Sequence, residues 1–407
     1  MEKQLIPELR FPYYNDDWDK VVLEKITTKI SDGIHSTPNY DLNGEYYFVN
    51  GNNLVNGSIS INENTKKVSL EEFKKHKRPL SKNSILLSIN GTIGNLALYN
   101  NENIVLGKSA CYINLQKDLP IDFYYYILQT PKIKKYFLSE LTGSTIMNLS
   151  LRTIKATKLI VPSLTEQQKI ASFLTDVDGK ITKLTKKKEL LEQYKKGVMQ
   201  NIFNQELRFK DDNGNEFPLW QKNKLGKSVK FLKGKGLPKS EIVCDGQYKC
   251  IHYGELFTKY NELIDNIISR TNDNDRTILS KVNDVLMPTS DVTPNGLATA
   301  SCIKESDVIL GGDVLIIRQD IKKIEGVYLA YYIKHFRNDV MKLVSGSTVY
   351  HLYGSDMKNL QVLIPCLDEQ IKIANFLTDI DLKITVLNTK IESNQTFKKG
   401  LLQKMFV

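Results

Sequence analysis

The sequence predicts an α+β protein: two tandem mixed α/β domains, separated by two long helices that form an antiparallel coiled coil with pseudo-two-fold symmetry. The first observation is an internal repeat, because Pro162-Ser-Leu-Thr-Glu-Gln returns as Pro365-Cys-Leu-Asp-Glu-Gln, an offset of 203 residues in a chain of 407. The second is a region of short apolar runs and turn residues in each half, and the third is a heptad pattern that closes each half. Since solenoids repeat every roughly 20–50 residues, this longer period indicates one duplicated module.

Each predicted domain combines short strands with turns. The runs 84–89 and 284–287 are typical of buried strands, and Asn90-Gly-Thr-Ile-Gly94 supplies turn residues after the first of them. The predicted segments are 1–161 for the first domain, 162–204 for the first helix, 205–364 for the second domain and 365–407 for the second helix.

The two helical segments carry apolar residues at a and d heptad positions, which is typical of a coiled coil. The alternative is two ordinary amphipathic helices, each lying on its own domain. Lys188, Lys195, Asn394 and Lys398 interrupt the apolar pattern. The apolar positions are Ile170, Leu174, Val177, Ile181, Leu184, Leu191, Val198 and Ile202 in the first helix, and Ile373, Leu377, Ile380, Ile384, Leu387, Ile391, Leu401 and Met405 in the second.

Chain topology predicts the relative direction of the helices. The first helix leaves the first domain and enters the second, and the second helix begins where the second domain ends. Because the termini of a domain often lie close together, the second helix should start beside the end of the first and run antiparallel to it.

Composition favours a polyanionic partner. The net charge is +10, which points to nucleic acid first and a membrane surface second. No apolar run reaches the roughly 18 residues of a membrane span, and the first residues do not form a signal peptide, so we expect a cytoplasmic protein without membrane contact. The five cysteines form no CxxC pair, so the sequence predicts neither a disulfide framework nor a metal site.

Two basic domains joined by helices suit a DNA target with two half-sites. The domains differ outside the repeated segments: Ser31-Asp-Gly-Ile-His-Ser-Thr-Pro38 has no clear copy in the second half, where Phe231-Leu-Lys-Gly-Lys-Gly-Leu-Pro238 occupies the corresponding stretch. Similar frames with different inserts predict two different half-sites, and therefore an asymmetric bipartite target.

At this point the chain resembles the specificity subunit of a type I restriction–modification system. The resemblance rests on the Pro-x-Leu-x-Glu-Gln-x-x-Ile-Ala-x-Phe-Leu opening of both helices and on Gly-Ser-Thr 19 residues before each of the two prolines. It rests also on Asp32-Gly33-x-His35-x-x-Pro38 and Gly91-Thr-Ile-Gly94 in the first domain, whereas the second domain lacks the Asp-Gly-x-His run.

The resemblance implies two target-recognition domains separated by antiparallel helices. It implies that two methyltransferase subunits dock on the helices, that two restriction subunits complete the nuclease, and that double-stranded DNA is the target. S-adenosylmethionine, ATP and Mg²⁺ would then belong to the partner subunits, with no cofactor on this chain. The sequence agrees, since it holds neither a methyltransferase Asn/Asp-Pro-Pro-Tyr/Phe motif nor a Walker A motif, and we expect a non-catalytic subunit.

Base readout and phosphate binding need polar side chains on loops. For each chosen residue, a plain surface or turn role is the alternative. In the first domain the predicted DNA-binding residues are Gly33, His35, Ser36, Thr37, Asn90, Gly91, Thr92, Lys108, Ser144 and Thr145. In the second they are Lys233, Lys235, His252, Tyr253, Ser290, Thr293, Asn295, Ser347, Thr348 and His351.

Two repeated features have open alternatives. The Gly-Ser-Thr segments at Gly143 and Gly346 either contact equivalent phosphates or form a structural turn. Acidic and amide residues at the helix starts either bind the methyltransferase or complement the helix dipole; they are Glu166, Gln167, Glu369 and Gln370. The competing functional hypothesis is a coiled-coil scaffold that joins two protein partners without DNA contact, and a third possibility is an enzyme that carries its own recognition domains.

Overall fold

A computed structural model of the chain describes residues 5–143, 147–273 and 278–407. The chain divides into two compact units, each of which contains part of both long helices. The first unit consists of Met1–Thr185 with Thr389–Val407, and the second is Lys186–Asn388.

The first unit is built on a four-stranded sheet. Its helices are α1 (Leu70–His76), α2 (Ile121–Ile127), α3 (Pro131–Ser139), α4 (Leu151–Lys155) and the start of α5 (Leu164–Phe203). Its strands are β1 (Asp19–Val22), β2 (Thr27–Asp32), β3 (Tyr46–Val49), β4 (Leu54–Val55), β5 (Ser58–Ile59), β6 (Lys67–Val68), β7 (Ser84–Ser88), β8 (Leu96–Leu98), β9 (Ile104–Leu106), β10 (Ala110–Leu115) and β11 (Lys158–Val161).

The main sheet of the first unit has the antiparallel order β2-β10-β7-β8. Strand β7 is buried along its whole length, as its run of apolar residues predicts. A second sheet, β6-β3-β9, contains the parallel pair β3 and β9, and β1 pairs with β11 just before α5 begins.

The second unit repeats this plan. Its helices are α6 (Glu255–Thr258), α7 (Gly326–His335), α8 (Arg337–Met341), α9 (Gly354–Met357) and the start of α10 (Leu367–Lys404). Its strands are β12 (Gln221–Lys224), β13 (Val229–Lys233), β14 (Tyr248–Ile251), β15 (Leu263–Ile264), β16 (Arg270–Thr271), β17 (Ile278–Leu279), β18 (Val285–Pro288), β19 (Ser290–Asp291), β20 (Ser301–Ile303), β21 (Ile309–Leu310), β22 (Val314–Gln319), β23 (Tyr350–His351) and β24 (Gln361–Ile364).

The main sheet here has the order β13-β22-β18-β20-β15, so its first four strands match the sheet of the first unit one by one. The parallel pair recurs as β14 with β21, and the strand pair that precedes the long helix recurs as β12 with β24. The predicted duplication of a mixed α/β domain is therefore confirmed.

The long helices bury the predicted apolar positions, each of which is buried or half-buried. In the first unit the end of α10 packs into the domain core, where Phe406 contacts the rings of Trp18 and Phe123. In the second unit the end of α5 does the same, with Phe203 against Tyr328. No helix within residues 5–143, 147–273 and 278–407 is long and apolar enough to cross a membrane.

Polar pairs join the two helices inside each unit. Lys398 of α10 donates to Asp178 of α5 at 2.8 Å in the first unit, and Lys195 of α5 donates to Asp381 of α10 at 2.7 Å in the second. Asp178 precedes Lys195 by 17 residues along α5, whereas the partner of Asp178, Lys398, follows the partner of Lys195, Asp381, by 17 residues along α10. The two helices are therefore antiparallel. The alternative of two unpaired amphipathic helices is thus wrong.

Candidate nucleic-acid interface

The register of the main sheet brings three loops of the first unit to one edge. Cys111 pairs with Asp32 and Ala110 pairs with Ser88, so β2 and β7 end where β10 begins. The segments after β2, after β7 and before β10 therefore leave the sheet at the same place.

Most predicted residues of the first domain are exposed at this edge. His35, Ser36 and Thr37 follow β2, and Lys108 precedes β10, all with exposed side chains. The His35 ring contacts the Asp32 carboxylate at 2.7 Å, which orients the imidazole. The edge thus combines hydroxyls, an imidazole and an ammonium group within one group of loops.

The turn after β7 carries three more predicted residues. Asn90 is half-buried, whereas Gly91 and Thr92 are exposed, and Thr92 Oγ1 lies 3.1 Å from Ser88 Oγ. Gly91 has a φ of 71°, in the left-handed region, so the turn requires glycine there.

Gly33, which was also predicted to bind DNA, has a packing role inside the domain, and its contact with DNA stays a prediction. Gly33 is buried, and a Cβ atom there would overlap the carbonyl oxygen of Leu106. Its N–H donates to Ala110 at 3.1 Å and its carbonyl accepts from Arg78 at 3.0 Å, so both backbone groups are used inside the domain. The glycine is needed for close packing of two backbone segments.

A hairpin closes the site in the first unit. Thr142 and Asn148 exchange backbone hydrogen bonds at 3.0 and 2.8 Å, and Leu149 N donates to the carbonyl of Ile89 at 2.9 Å. The hairpin therefore lies beside the turn that contains Asn90, with which Asn148 forms a bridge. The predicted Ser144 and Thr145 lie outside the described residues.

The second unit has the same edge. Lys233 pairs with Leu315 and Pro288 pairs with Val314, so β13 and β18 end where β22 begins. The predicted Lys233 and Lys235 are exposed there, and Lys233 Nζ lies 3.1 Å from Asp313.

The second unit also has the hairpin, and every residue of it is described. Ser345 and His351 exchange backbone hydrogen bonds at 3.0 and 2.7 Å, at positions 203 residues after Thr142 and Asn148. The predicted Ser347 and Thr348 are exposed at its tip. Gly346 has a φ of 111° and Gly143 has a φ of 102°, so both hairpins turn through the same glycine conformation.

The loop after β18 meets this hairpin. Ser290 pairs with His351, with 3.2 Å between Ser290 Oγ and His351 Nδ1, and the His351 ring stacks on Tyr353. Thr293 donates to Asp291 at 2.7 Å. The other predicted residue of this loop, Asn295, is exposed.

His252 and Tyr253 follow β14, whose partner β21 leads into β22 at the same edge. The two rings lie 4.5 Å apart, and Gly254 N–H donates to His252 Nδ1 at 3.1 Å. Burial lowers the pKa of His252, with Glu255 opposing and Lys239 adding to this effect. The ring is therefore neutral near pH 7, and Nδ1 is its acceptor, which leaves Nε2 as the N–H donor.

The residues at the helix starts, for which partner binding and complementation of the helix dipole were the two alternatives, are buried. Their burial favours an internal role, and partner binding stays a prediction. Glu166 and Glu369 are 1% and 0% exposed. Arg10 donates to Glu166 through two nitrogens at 2.8 Å, and Arg208 donates to Glu369 at 3.1 and 2.7 Å. Each carboxylate fixes the segment that leads into its own domain, and it offers no surface to another protein in this conformation.

The amide side chains next to these carboxylates are also held by hydrogen bonds inside the protein. Gln167 and Gln370 are buried, and each donates to the carbonyl of the proline that precedes its helix, at 2.8 and 2.9 Å. These bonds fix the angle between the last strand of the domain and the long helix. The repeated Pro-x-Leu-x-Glu-Gln segment is thus an internal joint.

Sequence reasoning missed two polar residues at the edge. Asn148 stands 203 residues before His351, so the repeat itself could have identified it. Asn50 follows β3 as His252 follows β14, and its Oδ1 accepts from Ser109 at 2.9 Å. Nothing in the local sequence around Asn50 distinguishes it from the other asparagines of the first domain.

The model of the family described as "Type I restriction modification DNA specificity domain" matches residues 15–193 and 219–394. The chain belongs to this family. The match falls once on each half, as the duplication requires, and the resemblance to type I specificity subunits is confirmed.

Individual relatives agree. The type I restriction enzyme MjaVIII specificity subunit of Methanocaldococcus jannaschii is 25% identical, over 79% of this chain and 78% of its own. Among solved structures, the S subunit of the type I restriction–modification system of M. genitalium has a TM-score of 0.65 at 17% identity, covering 99% of both chains. A chain solved in work on complex assembly and conformational transition of the type I R-M system has a TM-score of 0.52 at 14% identity, covering 95% of this chain and 96% of its own. At such identities these two structures show the fold.

Proposed function

We propose that this chain is the subunit that reads DNA sequence for a type I restriction–modification complex. It recognises an asymmetric bipartite target, with one half-site for each domain. The observation that carries the proposal is the repeated site. In each unit the turn after β7 or β18 pairs with a second segment at one sheet edge, through Asn90 with Asn148 and through Ser290 with His351.

The distribution of side chains on this repeated frame supports DNA as the ligand. Both Gly143 and Gly346 are followed by Ser-Thr in the sequence, and in the second unit the hydroxyls of Ser347 and Thr348 are exposed. Phosphates are the same in every half-site, so a shared element suits them, whereas base contacts must differ between unlike half-sites. The neighbouring loops do differ, as Asn90-Gly91-Thr92 and Ser290-Asp291-Val292 illustrate.

Exposed lysines at the edges support a polyanionic ligand. Lys108 lies at the edge of the first unit, and Lys233 and Lys235 lie at that of the second. Lysines and hydroxyls on loops are typical phosphate contacts, and each phosphate neutralised by a lysine makes binding more sensitive to salt.

The partners in this proposal are two methyltransferase subunits, docked on the long helices, and two restriction subunits in the complete nuclease. Tyr194 and Phe397 favour helix docking, because they stand 203 residues apart and are both about half exposed on α5 and α10. Exposed aromatic residues at equivalent positions suit two copies of one partner. S-adenosylmethionine, ATP and Mg²⁺ then belong to those subunits, and this chain is non-catalytic and cytoplasmic.

Methylome sequencing tests the proposal. A strain that expresses this chain with its methyltransferase should contain an adenine-methylated motif of two short unlike parts around a fixed gap, and deletion of the gene should abolish it. A continuous or palindromic motif, or methylation that persists after deletion, would contradict the proposal.

A scaffold that never contacts DNA is tested separately. The methyltransferase complex containing this chain should shift a DNA probe with an affinity that falls steeply as salt rises, because phosphate contacts release counterions. A complex whose DNA affinity is the same with and without this chain would favour the scaffold. Incubation of the chain alone with labelled S-adenosylmethionine and DNA tests for an activity of its own, and we expect none.

A further inference from the structure

From the repeated site we infer which positions read bases: Asn90 with Asn148 in the first domain, and Ser290 with His351 in the second, are equivalent specificity pairs, one for each half-site. This inference rests on the proposed function and adds named residues to it.

The two pairs have the same backbone geometry. Asn90 forms an antiparallel bridge with Asn148, and Ser290 pairs with His351 in the short strands β19 and β23. In each unit, the residue after Asn148 or His351 donates its backbone N–H to the carbonyl of the residue before Asn90 or Ser290. Those bonds are Leu149 N to Ile89 O at 2.9 Å and Leu352 N to Thr289 O at 3.0 Å.

That hydrogen-bond pattern defines the narrow, non-hydrogen-bonded kind of antiparallel pair. In such a pair the Cα atoms are about 4.5 Å apart and the side chains lie directly beside each other. The second unit shows the consequence, since Ser290 Oγ and His351 Nδ1 are 3.2 Å apart. Two side chains from two different loops thus form one polar surface.

The two pairs differ in the hydrogen-bonding groups of their side chains, although their backbone positions are equivalent. The first domain presents two primary amides, whereas the second presents a hydroxyl and an imidazole. An amide donates and accepts together and can pair with N6 and N7 of adenine, while a hydroxyl or a single imidazole nitrogen makes a different set of bonds. Identical backbone positions with different hydrogen-bonding groups are what the reading of unlike half-sites requires.

Each pair lies between the packed interior of its domain and the exposed loops. All four residues are half-buried, and the exposed Ser347 and Thr348 lie at the tip of the hairpin whose base holds His351. The ring of His351 stacks on Tyr353 at 5.9 Å between centroids, so its orientation is restrained. With Nδ1 facing Ser290, Nε2 is the ring nitrogen directed away from the pair. A restrained polar pair beside a phosphate-binding tip can select a base at low entropic cost.

Exchange of the pairs tests the inference in the full complex. The double variant N90S/N148H gives the first domain the pair of the second, and S290N/H351N does the reverse. Methylome sequencing should show that each variant changes base preference by about tenfold or more at one or two positions in one half of the motif. The other half should stay as in the wild type, and the two variants should affect opposite halves.

The matched control is T348A, which removes an exposed hydroxyl from the hairpin tip. It should lower the methylated fraction at all sites without altering the motif, as expected for a phosphate contact. Pair variants that methylate the wild-type motif with wild-type discrimination would overturn the inference.

A variant that methylates nothing is carried into a second measurement. The purified complex then selects DNA from a random pool: a motif altered in one half supports the inference, and the wild-type motif overturns it. Where a double variant does not assemble, the single substitutions N148Q and H351Q are scored by the same criterion. A wild type with no bipartite motif would overturn the proposed function as well, whereas a bipartite wild type with unaffected pair variants would overturn this inference alone.

Discussion

Lys195 donates to both carboxylate oxygens of Asp381 at 2.7 Å, and the equivalent residues Lys398 and Asp178 repeat this contact in the first unit. Each lysine also lies over a tyrosine ring whose hydroxyl donates to the same aspartate: Tyr331 at 2.6 Å in one unit and Tyr126 at 2.9 Å in the other. Burial, and secondarily the aspartate, raises the pKa of Tyr331, so its hydroxyl remains a donor. Each unit thus links both helices and its own domain through one carboxylate.

The Lys195–Asp381 pair predicts an unequal cost of mutation. K195M should lower the free energy of unfolding by about 1–3 kcal/mol, because a largely buried carboxylate loses its charged donor. D381A should cost more, about 3 kcal/mol or above, because it removes the carboxylate that accepts from Tyr331 and leaves Lys195 only the more distant carboxylate of Glu262, at 3.8 Å. Urea unfolding of the purified chain measures both values.

The control for this pair is K342M. Lys342 and Asp339 form an exposed pair at 2.6 Å, and loss of such a pair should change stability by about 0.5 kcal/mol or less. Equal costs for K342M and K195M would show that the interhelical contact has no special role.

A second prediction concerns the joint between domain and helix. R208M removes the bidentate partner of Glu369, which has no exposed surface, and should lower the free energy of unfolding by about 3–5 kcal/mol. K404M provides the control, because Lys404 and Glu8 form an exposed pair at 2.7 Å. Thermal unfolding compares the two variants, and an R208M protein as stable as K404M would refute the internal-joint role.

A third prediction separates two kinds of glycine. G33A and G234A should each cost about 1–3 kcal/mol, since an added Cβ would overlap a backbone carbonyl, of Leu106 in one domain and of Gly311 in the other. G197A should instead stabilise by about 0.5–1 kcal/mol, because Gly197 lies in the long helix α5 with open space around it. Chemical denaturation decides the signs, and a neutral G33A would contradict the packing role.

A fourth prediction follows from His335, which stacks on Phe203 with 5.0 Å between ring centroids. Burial lowers the pKa of His335 from its ordinary value of 6.5. As pH falls through 6.5 towards this lower pKa, the unfolded chain binds the proton first, so the free energy of unfolding should decrease.

Thermal unfolding at pH 7.5 and pH 5.5, roughly one unit on either side of the ordinary histidine pKa, measures this loss. H335Q should reduce the difference between the two conditions. An unaltered pH dependence in H335Q would contradict the assignment.

Much of the fold was accessible from the sequence because its signals are periodic. The heptad positions, the duplicated domain and the buried strand at residues 84–88 all follow from apolar spacing. Lys195 and Lys398 interrupted that pattern, and periodicity gave no reason for them. Their partners lie on the other helix, so only the antiparallel register reveals that each interruption is an ion pair.

The candidate site was only partly accessible. Strand ends and turn residues mark where loops begin, so the polar residues could be assigned to loops. That these loops meet at one sheet edge follows only from the register of the strands. The burial of Glu166 and Glu369 could not be predicted, because a carboxylate in the first turn of a helix is usually exposed and Arg10 lies 156 residues from Glu166 in the chain. The packing role of Gly33 was missed for a similar reason, because the backbone that it packs against, at Leu106, is distant in sequence.

The most direct test of the account is a domain exchange read out by methylome sequencing. Residues 1–161 are replaced by those of a relative, together with 389–407, because Phe406 packs against Trp18 and Phe123 within the same unit. The account predicts that one part of the bipartite motif changes to that of the relative while the other part stays as it was. A motif in which both parts change, or neither does, would contradict the claim that each domain reads its own half-site.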